Sequence, residues 1–210
     1  GTLKLLEGCR KMWERKKPAF QENFRFLHVS TDEVFGTLEM GDAAFTEHCQ
    51  YQPNSPYSAS KAASDHLVRS FNKTYGLPTL TTNCSNNYGP MQFPEKLIPL
   101  VIQRCLNFDD IPIYGDGKQI RDWIFVKDHC DAISTIMKFG AVGEAYNIGG
   151  DCELTNITLV KMICEIMDTL KPLHNSQKYA EKIKHVADRL GHDRRYAVDS
   201  MKLQSEIGWK

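Results

Sequence analysis

Two hydrophobic periods alternate along this chain, and that alternation leaves few architectures open. Short runs rich in β-branched and aromatic residues, such as "FRFLHVS" (Phe24–Ser30) and "PTLTTNCS" (Pro78–Ser85), are separated by longer stretches with helical spacing. Strands joined through helices run parallel, because the crossover carries the chain back to its starting edge. The expected fold class is therefore α/β, with a parallel sheet covered by helices on both faces.

The helical stretches can be placed one by one. "LKLLEGCRKMWERKK" carries Leu3, Leu6, Cys9, Met12 and Trp13 on one face, and Pro18 stops it. "NSPYSASKAASDHLVRSFNKTYG" steps through Ala59, Ala63, Leu67 and Phe71, with Pro56 near its start and Gly76 after its end. "FPEKLIPLVIQRCL" is mostly helical, and Pro99 is expected to bend or interrupt it. "KDHCDAISTIMKFG" and "TNITLVKMICEIMDTL" are further helices, the second capped by Thr155 or Asn156. "IPIYGDG", "IRDWIFV" and "EAYNIGG" read as strands. The segment after Lys171 is polar and expected to be irregular, with a short helix near Met201–Ile207. A more irregular portion begins after about residue 90.

Composition narrows the functional classes. Lys+Arg 26 and Asp+Glu 26 cancel over 210 residues, so no global field attracts nucleic acid, although Arg10–Lys17 and Arg194–Arg195 are local basic clusters. No apolar stretch approaches the ~20 residues that span a bilayer, and no N-terminal segment resembles a signal peptide. The 7 cysteines are odd in number and scattered, without a Cys-x-x-Cys. They are expected to be reduced thiols in a cytoplasmic protein, against a zinc or disulfide framework. His28, His48 and His66 lack metal-ligand spacing, and no metal site is expected.

The chemistry gathers where the first strand stops. Val29 is followed by Ser30, Thr31, Asp32 and Glu33, and ligands of open α/β sheets sit beyond the carboxyl ends of strands. Two adjacent carboxylates in a closed cleft drive their pKa values apart, so that one can serve as acid and the other as base. A solvated acidic turn or a helix cap is the plainer reading of these residues. Downstream, "YSASK" sets Tyr57 and Lys61 one turn apart on one helix face. A lysine ammonium beside a phenol favours phenolate, and the same lysine can hydrogen-bond a ribose. Taken alone, that pair also fits a surface contact on an amphipathic helix.

Together these residues resemble the extended short-chain dehydrogenase/reductase superfamily. In order along the chain, "STDEVFG", "NSPYSASKAASDHLVRSF", "TNCSNNYGPMQFPEKLIP", "YGDGKQIRDWIFVKDH", "YNIGG" and "VADRLGHDRRYAVD" are similar to its dTDP-glucose 4,6-dehydratase family. The Asp-Glu pair discriminates, since the nucleotide-sugar epimerases of the superfamily lack it. The resemblance implies a partial Rossmann-type parallel sheet with a smaller C-terminal substrate-binding region. Residues 1–90 would continue the NAD-binding domain, helped by later strands, and residues 91–210 would mainly bind the nucleotide sugar. The Gly-x-x-Gly-x-x-Gly loop that opens the family does not occur in this chain. The opening "GTLKLLEGCRK" is similar to a helix well inside the family's sequence, so the chain is expected to be its C-terminal part, short of half the sheet and most NAD contacts. Phe35 stands where the family usually has Tyr, Leu190 replaces a usual Pro, and Met91 occupies an often aromatic position.

The resemblance also implies roles. Tyr57, assisted by Thr31 and Lys61, would take the C4 hydroxyl proton of dTDP-glucose while NAD accepts the hydride. Glu33 would remove the C5 proton, Asp32 would protonate the departing C6 hydroxyl, and the hydride would return to C6. Ser30, Tyr57, Lys61 and Asn87 would contact NAD. Thr31, Asn86, Lys96, Leu97, Pro112, Tyr114, Arg121, Asn156, Arg189 and His192 would contact the nucleotide sugar. Lys96 and Leu97 at a helix start suit a diphosphate, and the arginines offer forked contacts to phosphate. A homodimer is implied, packed through the segments near Leu3–Arg15 and Tyr57–Tyr75. Another nucleotide-sugar epimerase or decarboxylase, and an inactive nucleotide-sugar-binding fragment, are the competing readings. Taken singly, each of these contact residues also fits a salt bridge or a cap.

Overall fold

The structure, a computed structural model, describes residues 1–173 and 177–209. Helix α1 (Thr2–Glu14) is followed by α2 (Pro18–Asn23), which uses the helix-stopping Pro18 at its own first position, where a missing N–H costs nothing. Strand β1 (Phe26–Val29) leads into a 3₁₀ turn (Asp32–Phe35). Then come α3 (Pro56–Tyr75), β2 (Thr79–Cys84), β3 (Asn86–Tyr88), α4 (Leu97–Asn107), β4 (Ile111–Tyr114) and β5 (Ile120–Phe125). The chain continues through α5 (Val126–Phe139), β6 (Ala145–Ile148), β7 (Glu153–Thr155) and α6 (Asn156–Leu170). A further 3₁₀ turn (Tyr179–Lys182), β8 (Ile183–Val186), β9 (Arg195–Tyr196) and α7 (Met201–Ile207) complete it.

Strands β1, β2 and β6 form a parallel sheet in that order, with Phe26 opposite Thr79 and Cys84 opposite Ile148. Helices α1 and α3 cover one face, where Leu6, Val68, Phe71 and Leu77 pack together. Helices α5 and α7 cover the other, burying Leu80, Ala132, Ile136, Tyr146, Ile148 and Leu203. The expected parallel sheet with helices on both faces is thus present. A second group of strands is mixed: β5 runs parallel to β3 and β9 and antiparallel to β7. Between α4, α6, β4 and β5 lies another core, with Val101, Ile111, Ile113, Val160 and Cys164 at its centre.

Local chemistry explains the ends of α3. Ser55 accepts from the Ser58 backbone N–H while the Ser58 hydroxyl accepts from the Ser55 N–H, which closes a capping box, and Pro56 opens the first turn. Gly76 ends the helix at φ 68°, a left-handed conformation that glycine adopts without a Cβ clash. The buried face differs from the one expected. Ala59 and Ala63 are exposed, and the stripe against the sheet is Ser58, Ala62, Asp65, Val68 and Phe71. The apolar step of four drifts around a helix of 3.6 residues per turn, and exposed alanines cost little, whereas Ser58 and Asp65 are buried with partners.

Other expectations also shift. Pro99 neither bends nor interrupts α4, because the helix begins at Leu97 and places the proline in its first turn, where the N–H has no intrahelical acceptor. Thr155 caps α6 by accepting from the Thr158 N–H at 3.2 Å, and Asn156 is the first helical residue. The polar stretch after Lys171 is not wholly irregular: β8 pairs with β4, and β9 with β5, so both borrow order from strands distant in sequence. Residues 174–176 of that stretch lie outside the described residues.

One close approach requires glycine. A Cβ on Gly150 would lie 2.0 Å from the Trp123 carbonyl oxygen. The adjoining loop is held by buried Asp122, whose carboxylate accepts from the N–H groups of Gly150 (2.9 Å) and Cys152 (2.8 Å).

Candidate active site

The end of β1 turns sharply at Thr31, which is extended and caps the following 3₁₀ turn. Its hydroxyl accepts from the Glu33 N–H at 3.3 Å and donates to Asp32 Oδ1 at 3.2 Å. Asp32 is 3% exposed, and its Oδ2 has no hydrogen-bond partner among the described residues. Burial first, and then the neighbouring Glu33, push its carboxyl up to about 7. Glu33 is also raised, chiefly by burial, with Arg121 opposing the rise. The backbone step between the two residues sends Asp32 inward and leaves Glu33 on the wall of a cleft.

Tyr57 opens α3 on the same wall, 55% exposed. Burial, followed by Glu33, Cys84 and Asp32, raises its phenol above the ordinary tyrosine value. The Lys61 ammonium donates to the Val29 carbonyl at 2.7 Å. The cluster of acids around Tyr57 disfavours phenolate, since each negative charge opposes another.

The cleft measures about 550 Å³. Its walls bring together Asn86, Lys96, Leu97, Pro112, Tyr114, Arg121, Asn156, Arg189 and His192 with Glu33 and Tyr57. Residues far apart in sequence meet here because β3, β4 and β5 and the starts of α3, α4 and α6 all converge on it. Five candidates do not line it: Asp32 and Lys61, described above, and Ser30, Thr31 and Asn87. Thr31 is buried behind the 3₁₀ turn. The Ser30 hydroxyl donates to Asp65 at 2.8 Å. The Asn87 amide donates to the Ser85 carbonyl at 3.1 Å, while its oxygen meets His129 Nδ1 at 2.7 Å.

Positive charge is concentrated on the far wall. Arg121 is 7% exposed; its guanidinium stacks 4.4 Å over the Tyr196 ring and donates to the carbonyls of Ile120 (2.7 Å) and Asp193 (3.0 Å). Burial lowers its pKa from the usual arginine value, while Tyr196, Asp32 and Glu33 raise it. Arg189 stands 5.3 Å over the Tyr114 ring and donates to His192 Nε2 at 2.9 Å. Because a guanidinium can only donate, His192 is neutral here, and its Nδ1–H donates to Asp188 at 2.6 Å. Burial holds the His192 pKa down in agreement with that tautomer.

Sequence reasoning passed over several lining residues: Gln92, Glu95, Trp123, Asp193 and Tyr196. The Tyr196 hydroxyl donates to Asp193, a local pairing that the motif "GHDRRY" carries but does not reveal. The departures noted above have simple settings. Phe35 is buried between Phe45 (5.1 Å) and Tyr51 (5.2 Å), so ring packing is kept. Met91 is fully exposed with φ 65°, and Leu190 is fully exposed.

A family model described as GDP-mannose 4,6 dehydratase matches residues 1–210. The chain belongs to that family. Within the family it is 59% identical over 211 residues to a dTDP-glucose 4,6-dehydratase of Xanthomonas campestris pv. campestris, covering 100% of this chain and 60% of that protein. It is 54% identical over 218 residues to the dTDP-glucose 4,6-dehydratase of Shigella flexneri, again covering 100% of this chain and 60% of the relative. A solved dTDP-glucose 4,6-dehydratase of Bacillus anthracis, in complex with NAD, superposes with a TM-score of 0.85 at 42% identity, covering 100% of this chain and 60% of that one. The chain therefore spans 60% of the length of these relatives.

Proposed function

We propose that this chain carries the acid–base and nucleotide-sugar-binding part of a dTDP-glucose 4,6-dehydratase, which converts dTDP-glucose to dTDP-4-keto-6-deoxyglucose. The observation that carries the reading is the side-by-side pair at the strand end. Asp32 is held near neutrality as a carboxyl able to give a proton, and Glu33 faces the cleft as a carboxylate able to take one. Elimination of water across adjacent carbons needs both transfers at one place. An epimerase or decarboxylase needs no such pair.

NAD is the cofactor of this reading, and its chemistry when bound is to accept a hydride and return it. The residues fit the reactive end of such a group. Tyr57 presents a phenol to the cleft, and Lys61 keeps donors to spare after its bond to Val29. The side chains of Ser30 and Asn87 are engaged within the protein, so their contribution to cofactor binding is positional.

The chain's own residues divide the work. Tyr57 takes the proton of the C4 hydroxyl, with the Lys61 ammonium on the same helix face opposing the burial and the acids that raise its phenol. Once C4 is a ketone, the C5 proton becomes acidic and Glu33 removes it. Asp32 gives its proton to the leaving C6 hydroxyl, and the Thr31 hydroxyl holds Asp32 in place. Arg121, Arg189 and Lys96 neutralise the diphosphate, while Pro112 and Tyr114 flank the base, with Leu97, Asn86, Asn156 and His192 completing the nucleotide wall. A cation buried against an aromatic ring, as Arg121 is against Tyr196, interacts strongly with an anion because little water screens it.

Further parts of the reading concern assembly and location. The exposed Ala59 and Ala63 face of α3, together with α1, is the proposed contact of a homodimer. Residues 1–90 with later strands serve the cofactor side, and residues 91–210 the nucleotide sugar. No helix among the described residues is long and apolar enough to cross a membrane, and a cytoplasmic location is proposed. The deciding experiment incubates the full-length protein with dTDP-glucose and with UDP-glucose and follows the alkali-induced absorbance of a 4-keto sugar. Signal with dTDP-glucose supports the reading. A C4-epimerised product or no turnover overturns it.

A further inference from the structure

Behind the proposed site, away from the cleft, lies a layer of buried polar groups between α3 and the parallel sheet. Asp65 sits at its centre, 4% exposed, on the helix that carries Tyr57 and Lys61. Its Oδ2 accepts from the Ser30 hydroxyl at 2.8 Å and from Asn83 Nδ2 at 3.4 Å. Its Oδ1 lies 3.0 Å from His28 Nε2 without hydrogen-bond geometry. The same Asn83 amide donates to the Thr31 carbonyl at 3.2 Å. Ser30 and His28 belong to β1 or its end, Asn83 belongs to β2, and Thr31 precedes the acid–base pair directly.

We infer that Asp65 is a positioning residue: through Ser30 and Asn83 it fixes the helix bearing Tyr57 and Lys61 against the strand end bearing Asp32 and Glu33. The inference rests on the dehydratase reading above. The physical reason lies in what surrounds the contact. Along this side of β2, Thr79, Thr81 and Asn83 face α3, and a cavity of about 530 Å³ opens beside Asp65, Tyr51, Thr79 and Thr81. Near its catalytic turn α3 contributes Ala62 as its one buried apolar residue, packed with Val34 and Phe35 of the 3₁₀ turn, and its other buried residue there is Ser58. That small contact holds the helix against the turn, and directional hydrogen bonds to one carboxylate add the constraint on its distance and rotation relative to the strand end. Displacement of a reacting group by about 1 Å costs on the order of 100-fold in rate.

The test uses the full-length holoenzyme with Asp65→Asn, Ser30→Ala and Ser30→Thr variants. Asparagine keeps the size of Asp65 but offers only one acceptor. Alanine removes the Ser30 donor, and threonine restores a hydroxyl. Single-turnover formation of reduced cofactor, followed at 340 nm and normalised to bound NAD, reads the chemistry; dTDP affinity reads the cleft. For Asp65→Asn and Ser30→Ala the expected result is a fall of roughly 10- to 100-fold in the single-turnover rate, with dTDP affinity within twofold of wild type. Ser30→Thr should recover most of that loss. Rates per bound cofactor within twofold of wild type in Asp65→Asn would overturn the inference. So would equal losses in Ser30→Ala and Ser30→Thr. A parallel Tyr57→Phe variant separates the two levels. If Tyr57→Phe still forms reduced cofactor at the normal rate, the dehydratase reading itself fails; if it does not and Asp65→Asn is unimpaired, only the positioning role fails.

Discussion

Replacing Asp32 by asparagine should make the protein more stable at pH 8 while removing the proposed elimination chemistry. Burial and the adjacent Glu33 lift this carboxyl from 3.8 to about 7. At about 1.4 kcal/mol per tenfold change in proton affinity, the gap corresponds to about 4 kcal/mol. The unfolded chain ionises Asp32 from about pH 3.8 upward, while the folded chain keeps its proton until about 7. Stability contributed by the protonated state is therefore complete below 3.8, declines through that window and levels off above 7. Asparagine has no proton to lose, and its oxygen can still accept from Thr31. The stability difference between variant and wild type should be near zero at pH 4, grow through pH 6 and reach about 4 kcal/mol at pH 8. For a protein of this size that is roughly 8–16 °C in melting temperature. Thermal and urea unfolding followed by circular dichroism at the three pH values measures it. A difference that stays constant with pH, or a variant less stable at pH 8, refutes the assignment of Asp32 as a buried carboxyl held protonated.

Glu33→Gln should retain oxidation at C4 and stop there, accumulating the 4-keto hexose nucleotide without loss of water; mass spectrometry of the product decides, and water release at the wild-type rate counts against Glu33 as the base. Gly150→Ala sets a methyl against the Trp123 carbonyl, 2.0 Å away without rearrangement, and should destabilise by about 1–3 kcal/mol in urea titration. His192 can accept from Arg189 only while neutral, and burial lowers its pKa from 6.5. Protonation, which burial delays to below the ordinary histidine value, should free Arg189 and weaken dTDP binding as pH falls; calorimetric titration should show that decline in wild type and not in His192→Gln.

Much of the site was legible because its signals are local. The end of an apolar run marks a strand's carboxyl end, and Asp32 and Glu33 follow it directly. Tyr57 and Lys61 share a helix face by spacing alone. The start of α4 at Lys96 and Leu97 and the cap at Thr155 are likewise written in neighbouring residues. Less legible was Asp65, an acid that looks like one more solvated helix charge, since its donors lie far off in the sequence: Asn83 at 18 positions and Ser30 at 35.

The sequence by itself determined the alternation of elements, the parallel sheet they imply, and the chemical types gathered at the first strand's end. Periodicity, caps and turns act over a few residues, so they survive as pattern in the chain. Only the tertiary structure decided how those groups behave: that Asp32 is desolvated and its proton affinity raised, that Lys61 turns to Val29 while the phenol is raised, and that β8 and β9 become strands at all. Burial and proton affinity depend on what packs against a group from elsewhere in the chain, and that neighbour is chosen by the fold.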